Sequence, residues 1–594
     1  MISTMDKNLE HIRHSLAHLL AAAVLELWPD TKPTLGPAID NGFYYDFDFN
    51  ADGRGTDAEQ RGISDKDLPR IEKKMREILK TWKSFEKQEV NEKEAKKTYR
   101  DNPYKLELID EILKKGGPIT FYTSGEFTDL CRGGHTENMK DIDPESFKLD
   151  RIAGAYWRGD EKNAMLTRIY GLAFNTKDEL EAYEKQVEDA KKRDHKKLGK
   201  ELDLFFIDEE VGKGLPMWTP KGTKIKFELE KFTRDLELKY GYEHIATPYL
   251  GSEKLYATSG HLDHYKSNMY APIDMEGEKF YLRPMACPHH IRMLLRKPIS
   301  YKDLPVRYAE IADYNRYEKS GELMGMIRVR KFQLTDAHIF VSPEGLKEEF
   351  KLVCSLIQEG LSGLGLLSVV SYRFSKRDPK NSKKYYPDDE LWNKAESMMK
   401  QALDEIGLHY KEVENEAAFY GPKLDVQALN VNGKEDTIFT AQIDFLLPEK
   451  FKIEYTDKDG SKKRPVMIHR SAIGALERTF AFLIEHYAGA FPLWLSPVQI
   501  RVLPISETQH GFAKEVFEEL KNAGIRAELD DSKETLGKKI RAFKTEKIPY
   551  ALVIGEKEVE AKKVTLESRD KGNLGQLSIS DLLEKLGLEI LEKK

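Results

Sequence analysis

Apolar residues recur at helical spacing from Leu9 to Leu27, and Trp28-Pro29 ends the run, which predicts a helix. Gly42-Phe43-Tyr44-Tyr45-Asp46-Phe47-Asp48-Phe49 alternates and is rich in aromatics, as a half-buried strand requires. Asp52-Gly53-Arg54-Gly55 reads as a loop, and Lys66 to Lys97 as one charged amphipathic helix. Lys177 to Lys200, with Lys191-Lys192-Arg193 and Lys196-Lys197, fits a connecting helix whose basic face is solvated or meets nucleic-acid phosphates. A long, even block follows from Leu202 to Pro492. The pattern then changes to strand and helix in turn: Val498 to Leu503, Gly511 to Ala523, Arg526 to Leu529, Leu536 to Glu546 and Tyr550 to Ile554. That alternation predicts a small domain on a largely parallel sheet. The expected division is therefore 1–176, a linker 177–200, 201–492 and 493–594.

Composition narrows the class. The chain has 594 residues, 95 Lys+Arg against 101 Asp+Glu and a net charge of −6, which rules out a uniformly basic nucleic-acid binder. Hydrophobic residues make up 40% and charged residues 33%, enough for several cores under wet surfaces. No run reaches the ~18 apolar residues of a membrane helix. The Leu16–Leu27 stretch is preceded by Asp6 and Glu10 and broken by His18 and Glu26, unlike a signal peptide. Three cysteines, Cys131, Cys287 and Cys354, make no disulfide framework and suit a reducing cytoplasm.

Two constellations offer chemistry. His14 and His18 leave one face of the first helix, and Cys131 and His135 repeat the spacing on a Gly133-Gly134 loop. Three imidazoles and a thiol are zinc-ligand types, and they serve equally for metal-free acid–base work. In the central block Cys287 precedes His289 and His290, and by itself reads as an inert buried thiol. Arg316-Tyr317-Glu318 leads to Arg328-Val329-Arg330-Lys331-Phe332, read as a strand with Arg328 and Arg330 on one face, where an anion would be their natural partner. Met467 to Arg478, carrying His469 and Arg478, has a helical period, with Gly474 and Ala475 permitting close packing.

These pieces resemble the three signature motifs of class II aminoacyl-tRNA synthetases, and in detail those of threonyl-tRNA synthetases. Motif one is the helix Thr223–Tyr240 with Tyr242 to Pro248; motif two is Arg307 to His338; motif three is His469 to Arg478. Arg13 to His18, Gly42 to Asp46 and Asp129 to His135 resemble the family's editing domain, and the tail resembles its anticodon-binding domain. The resemblance implies an α+β multidomain protein. Its core would be the class II antiparallel sheet, preceded by an α+β editing domain and followed by an α/β anticodon domain. A ubiquitin-like leading domain, usual in bacterial members, is not expected.

The implied activity is ATP-dependent attachment of L-threonine to tRNA(Thr), with hydrolysis of mischarged seryl-tRNA, by a cytoplasmic homodimer. Arg316 and Arg478 would hold the α- and γ-phosphates, Glu318 and Arg328 would place the nucleotide, and Phe332 would stack on adenine, with Mg²⁺ bridging phosphates. Cys287, His338 and His469 match the zinc ligands. Asp336, Tyr420 and Gln442 match the threonine pocket, Gln442 also reaching the nucleotide, with Met285 at the edge. His14, His18, Tyr45, Lys105, Asp129, Cys131 and His135 match the editing cluster, understood to use ordered water and no metal. Lys533, Arg541 and Glu558 match anticodon positions, where Lys533 replaces a usual Asn and Glu567 a usual Arg. Leu334, Ala286 and Ala475 stand where the family usually has Gln, Asn and Ser. A non-charging paralogue or an editing-only hydrolase are the alternatives; loss of Arg316, Arg478 or the zinc triad would mark the former, and all five residues are present.

Overall fold

The computed structural model describes residues 7–49, 63–381 and 384–593. The chain divides into two compact units, Met1–Val187 and Glu188–Lys594. The loop expected at Asp52–Gly55 lies outside the described residues.

In the first unit the helix Lys7–Leu27 buries Leu16, Leu19, Leu20 and Val24 against the alternate residues Phe43, Tyr45 and Phe47 of the strand Gly42–Asp48. That strand pairs antiparallel with Met165–Ala173, which pairs in turn with Phe147–Tyr156. A second, three-stranded antiparallel sheet joins Glu86–Val90, Ile119–Ser124 and Phe127–Leu130. The single helix expected over Lys66–Lys97 is therefore corrected. Helix covers Leu68–Leu79, and Glu86–Val90 is a strand. A further helix, Glu92–Thr98, starts where the Asn91 side chain accepts from the Glu94 amide at 2.9 Å. Ladder bonds to Ile119–Ser124 and burial of Trp82 between Phe85 and Phe127 outweigh the helix propensity of Lys and Glu. The connecting helix is also two, Lys177–Arg193 and His195–Glu201. Asp194 takes an extended ψ of 121° and its carboxylate accepts from the Lys196 amide at 2.7 Å, an N-cap that sequence periodicity does not reveal.

The second unit is built on an eight-stranded sheet. Its order is Glu243–His244, Val306–Asn315, Lys331–Val341, Val466–Ala475, Glu435–Asp444, Lys423–Leu429, Val370–Ser375, Tyr410–Val413. All neighbours are antiparallel except the pairs at the two edges. The helices Pro220–Lys239, the expected motif-one helix, and Leu346–Gly363 contribute Leu229, Leu236, Phe350 and Ile357 to its core. Motif three is not helical from its start. Val466–Ala475 is a strand with neighbours on both sides, and helix begins only at Leu476. A strand buried on both faces is continuously apolar and mimics a buried helix in its pattern. Arg328 and Arg330 are not on a strand face either, because the strand opens at Lys331. They close the preceding loop, Arg328 on the Glu318 carboxylate at 2.7 Å and Arg330 on the Glu318 and Lys213 carbonyls at 3.0 and 3.1 Å.

The tail sheet runs Ala527–Leu529, Ile500–Pro504, Tyr550–Ile554, Val564–Ser568, Gly572–Leu577. The first three strands are parallel, and the last two are antiparallel, a mixed sheet where a largely parallel one was expected. The link from Ile554 to Val564 is shorter than the dozen or so residues a parallel crossover needs, so the chain turns back.

Gly474 holds φ +75°, and a Cβ there would lie 2.4 Å from the Ile438 carbonyl oxygen on the neighbouring strand. Gly474→Ala should lower stability by about 2–4 kcal/mol, read as a drop in urea midpoint at unchanged slope. An unchanged midpoint would show that the two strands can separate at no cost.

Candidate functional site

A cleft with a volume of about 300 Å³ lies over the middle of the eight-stranded sheet. Every residue assigned above to ATP, threonine or zinc lines it, from Met285 and Cys287 through Arg316, Glu318, Arg328, Phe332, Asp336 and His338 to Tyr420, Gln442, His469 and Arg478. Strand register does most of the gathering. His338 stands directly opposite His469, and His469 opposite Gln442 on the next strand. The period of two also places Asp336 and His338 on one side of theirs. Cys287 comes from elsewhere, as the first residue of the helix Cys287–Leu294.

Cys287, His338 and His469 are buried in the cleft floor, and one ligand atom from each lies within 4.8 Å of the others. The rings of His338 and His469 are perpendicular, with centroids 4.8 Å apart. Each imidazole has a second partner. Nε2 of His469 is 2.8 Å from the Asp444 carboxylate, which is itself fixed by the amides of Leu446 and Leu447. Nδ1 of His338 is 2.9 Å from Nδ1 of His290. Such outer partners hold metal-ligating imidazoles in one tautomer. Burial, with the charges of Asp336 and Asp444, pushes the Cys287 thiol up, so the thiolate form needs a cation to stabilise it. One thiol and two oriented imidazoles fit zinc with coordination room left over.

Beside this floor the arginines are spare. Arg478 donates to the Ile327 and Thr437 carbonyls at 3.2 and 3.1 Å, and Arg316 to the Pro284 carbonyl at 3.4 Å. Burial and then the charge of Arg316 lower the affinity of Arg478 for its proton. Two guanidinium groups facing one cleft, hydrogen-bonded to carbonyls and to no carboxylate among the described residues, can accept a polyanion. The Arg316 guanidinium stands 5.0 Å above the Phe332 ring. Tyr420 donates to Gln442, and Tyr314 donates to Asp336. Tyr314, Asp444 and His290 were missed by sequence reasoning. Tyr314 lies two residues before Arg316, a period-two position that could have been followed; His290 was visible only as a neighbour of Cys287, and nothing local marks Asp444. The three departures from the family pattern meet in space. Leu334 pairs with Ala475 across the strands, and both pack with Ala286, Tyr314 and Phe332 as one apolar wall.

The second site, in the first unit, brings together all seven expected residues. Lys105 Nζ lies 2.5 Å from Asp129, Tyr45 donates to the same carboxylate at 2.5 Å, and His18 Nδ1 is 3.3 Å from it. Nε2 of His18 is 3.3 Å from Nε2 of His14, whose Nδ1 donates to the Gly134 carbonyl at 3.2 Å. Cys131 Sγ accepts from the Gly133 amide at 3.3 Å and lies 3.4 Å from His135 Nε2 and 3.5 Å from His14 Nε2. Burial alone would discharge His18, but hydrogen bonds to Asp129 and Cys131 outweigh it and hold the imidazole at about 9. Burial opposes the Cys131 thiolate, yet His135, His14 and His18 bring the thiol down to about 3. Burial keeps His135 neutral down to about 4. The four groups could also enclose a cation.

The tail residues are scattered. Lys533 is exposed and pairs with Glu507 at 2.9 Å, and Arg541 is exposed. Glu558 is nearly buried, and its carboxylate accepts from the Gly555 amide at 2.9 Å and from Thr565 and Gln576 at 2.7 Å, so it holds the loop. Glu567 pairs with Lys544 at 3.2 Å.

An antiparallel sheet with motif arginines and a Cys-His-His floor defines a class II aminoacyl-tRNA synthetase. Residues 265–487 match the class II core domain shared by the G, H, P, S and T synthetases. Residues 499–587 match the anticodon binding domain, and 119–170 the second additional domain of threonyl and alanyl tRNA synthetases. The threonine–tRNA ligase of Clostridium botulinum (strain Eklund 17B / Type B) is 49% identical over 98% of this chain and 89% of its own length. That of Staphylococcus carnosus is 48% identical over 99% and 89%. Among solved structures, the RNA binding domain of threonyl-tRNA synthetase from Cryptosporidium parvum aligns with 67% of this chain and 98% of its own, at 37% identity and TM-score 0.63. The chain belongs to the threonine–tRNA ligase family.

His18, raised from 6.5 to about 9, contributes stability that is complete below pH 6.5 and disappears as pH climbs through 9. His18→Gln should abolish that part of the pH–stability curve, measured by denaturant titration of the full chain. Cys131, brought down to about 3, changes stability in the opposite sense over the same range, so the readout is the difference between wild type and His18→Gln, and a difference that stays constant from pH 6.5 to 9 would contradict the charged His18.

Proposed function

We propose that this chain activates L-threonine with ATP in the cleft, transfers it to tRNA(Thr) with release of AMP and diphosphate, and clears seryl-tRNA in the first unit. The observation that carries this is the assembly of Cys287, His338 and His469 next to Arg316 and Arg478 in one cleft. Arg316 neutralises charge at the α-phosphate as diphosphate leaves, and Arg478 holds the far phosphates. Glu318 positions Arg328, and Phe332 supplies an apolar face for adenine. Mg²⁺ accompanies the nucleotide. Cys287, His338 and His469 would hold zinc, which when bound offers a Lewis acid with open positions for an amino and a hydroxyl group.

Asp336, fixed by Tyr314, and Gln442, fixed by Tyr420, give the pocket oriented acceptors for the same groups. A pocket built around a hydroxyl rejects valine by roughly 10⁴–10⁵, whereas serine lacks only a methyl worth ~1–3 kcal/mol and needs a second sieve. That sieve is the first-unit cluster. Its charged His18 is a proton donor, and its Cys131 thiolate and neutral His135 are acceptors able to orient water at an ester. The basic helix Leu536–Thr545, with Arg541, and neighbouring Lys533 face outward for the tRNA. Phe227 and Leu238, exposed on one side of the motif-one helix, support a homodimer. No described helix is long and apolar enough to cross a membrane, and the paucity of cysteines supports the cytoplasm.

Amino-acid-dependent diphosphate exchange should be strong with threonine, one to two orders weaker with serine and undetectable with valine; no exchange with threonine would refute the proposal. Cys287→Ala should release zinc and abolish exchange. In His14→Ala, charging should persist while seryl-tRNA hydrolysis falls about 10²-fold or more; undiminished hydrolysis would remove the editing assignment.

A further inference from the structure

We infer that His290, backed by Glu310, is a positioning residue that fixes the ring of His338 in the tautomer able to bind metal. The inference rests on the zinc reading above and concerns residues that touch neither metal nor substrate. His290 is completely buried, three residues after Cys287 on the same helix. Its Nδ1 lies 2.9 Å from Nδ1 of His338 and its Nε2 lies 3.0 Å from Oε2 of Glu310, with the two rings perpendicular and 4.6 Å apart.

The direction of each hydrogen bond follows from the far end. Glu310 accepts from Arg283 Nη2 at 3.0 Å, from the Thr247 hydroxyl at 2.7 Å and from the Thr247 amide at 3.2 Å. A carboxylate so surrounded is an acceptor only. Nε2 of His290 therefore donates to Glu310, and its Nδ1 keeps a lone pair. Nδ1 of His338 must then carry the proton it shares with His290. That leaves Nε2 of His338 with a lone pair as its one free ligand atom, the protonation state that metal binding requires. The relay also anchors the site. Glu310 sits opposite Asp336 in the strand register, and Thr247 follows the edge strand Glu243–His244. The orientation of His338 is thereby tied to the backbone on three sides.

Zn²⁺ competition against a chromophoric chelator and the visible spectrum of the Co²⁺-substituted full chain test this. His290→Ala should weaken Zn²⁺ binding about 10–100-fold and shift the Co²⁺ bands. His290→Asn keeps an acceptor where Nδ1 stands and should restore most of the affinity. His290→Gln keeps only the donor toward Glu310 and should not. Wild-type affinity in His290→Ala would overturn the inference. So would equal losses in the Asn and Gln variants, which would mark a packing role that thermal melting also reads. Cys287→Ala, measured in parallel, separates the two levels. Wild-type protein that binds no Zn²⁺ refutes the zinc reading and this inference together. Tight wild-type binding, lost in Cys287→Ala and retained in His290→Ala, refutes the relay alone.

Discussion

The cross-strand pairing of Lys331–Val341 with Val466–Ala475 is the contact on which the rest depends. It sets His338 against His469, and a slip of one residue in either strand would turn that strand's imidazole to the opposite face of the sheet, away from the other. Gly474 lets the second strand pass close to the Ile438 backbone before the chain turns into the helix that carries Arg478. The same pair of strands thus sets the distance between the metal-capable floor and Arg478. A metal-capable floor and a guanidinium facing the same cleft share one piece of backbone.

The two sites handle buried charge in opposite ways. In the cleft, burial keeps the Cys287 thiol and the His338 imidazole neutral, a state that awaits a cation. In the first unit, Asp129 lies between Lys105 and His18, and His18 and Cys131 hold each other charged. An incoming metal there would compete with His18 for Cys131, whereas in the cleft it would relieve an electrostatic deficit. Similar ligand types therefore stand in opposite electrostatic settings in the two places.

The candidate site was more legible than the fold around it. Arg316, Phe332, His338 and Arg478 stand in motifs whose spacing survives translation into structure, so their convergence could be anticipated. The secondary structure carrying His469 could not, since a fully flanked strand has no alternation to show. The strand Glu86–Val90 was hidden for the reverse reason: its exposed Glu, Lys and Gln favour helix, and only its distant partner decides. Glu558 was assigned to the anticodon by analogy, but its carboxylate is spent on Gly555, Thr565 and Gln576. The sequence showed His290 only as a neighbour of Cys287 and did not mark Glu310, because their meaning lies in a hydrogen-bond chain across separate elements.

Zinc K-edge absorption of the purified chain, recorded with and without threonine, tests the central claim most directly. One sulfur at about 2.3 Å and two imidazole nitrogens at about 2.0–2.1 Å are expected, with the remaining positions changing from water to substrate when threonine is added. A closed set of four protein ligands that ignores threonine, or protein without zinc, would contradict that claim.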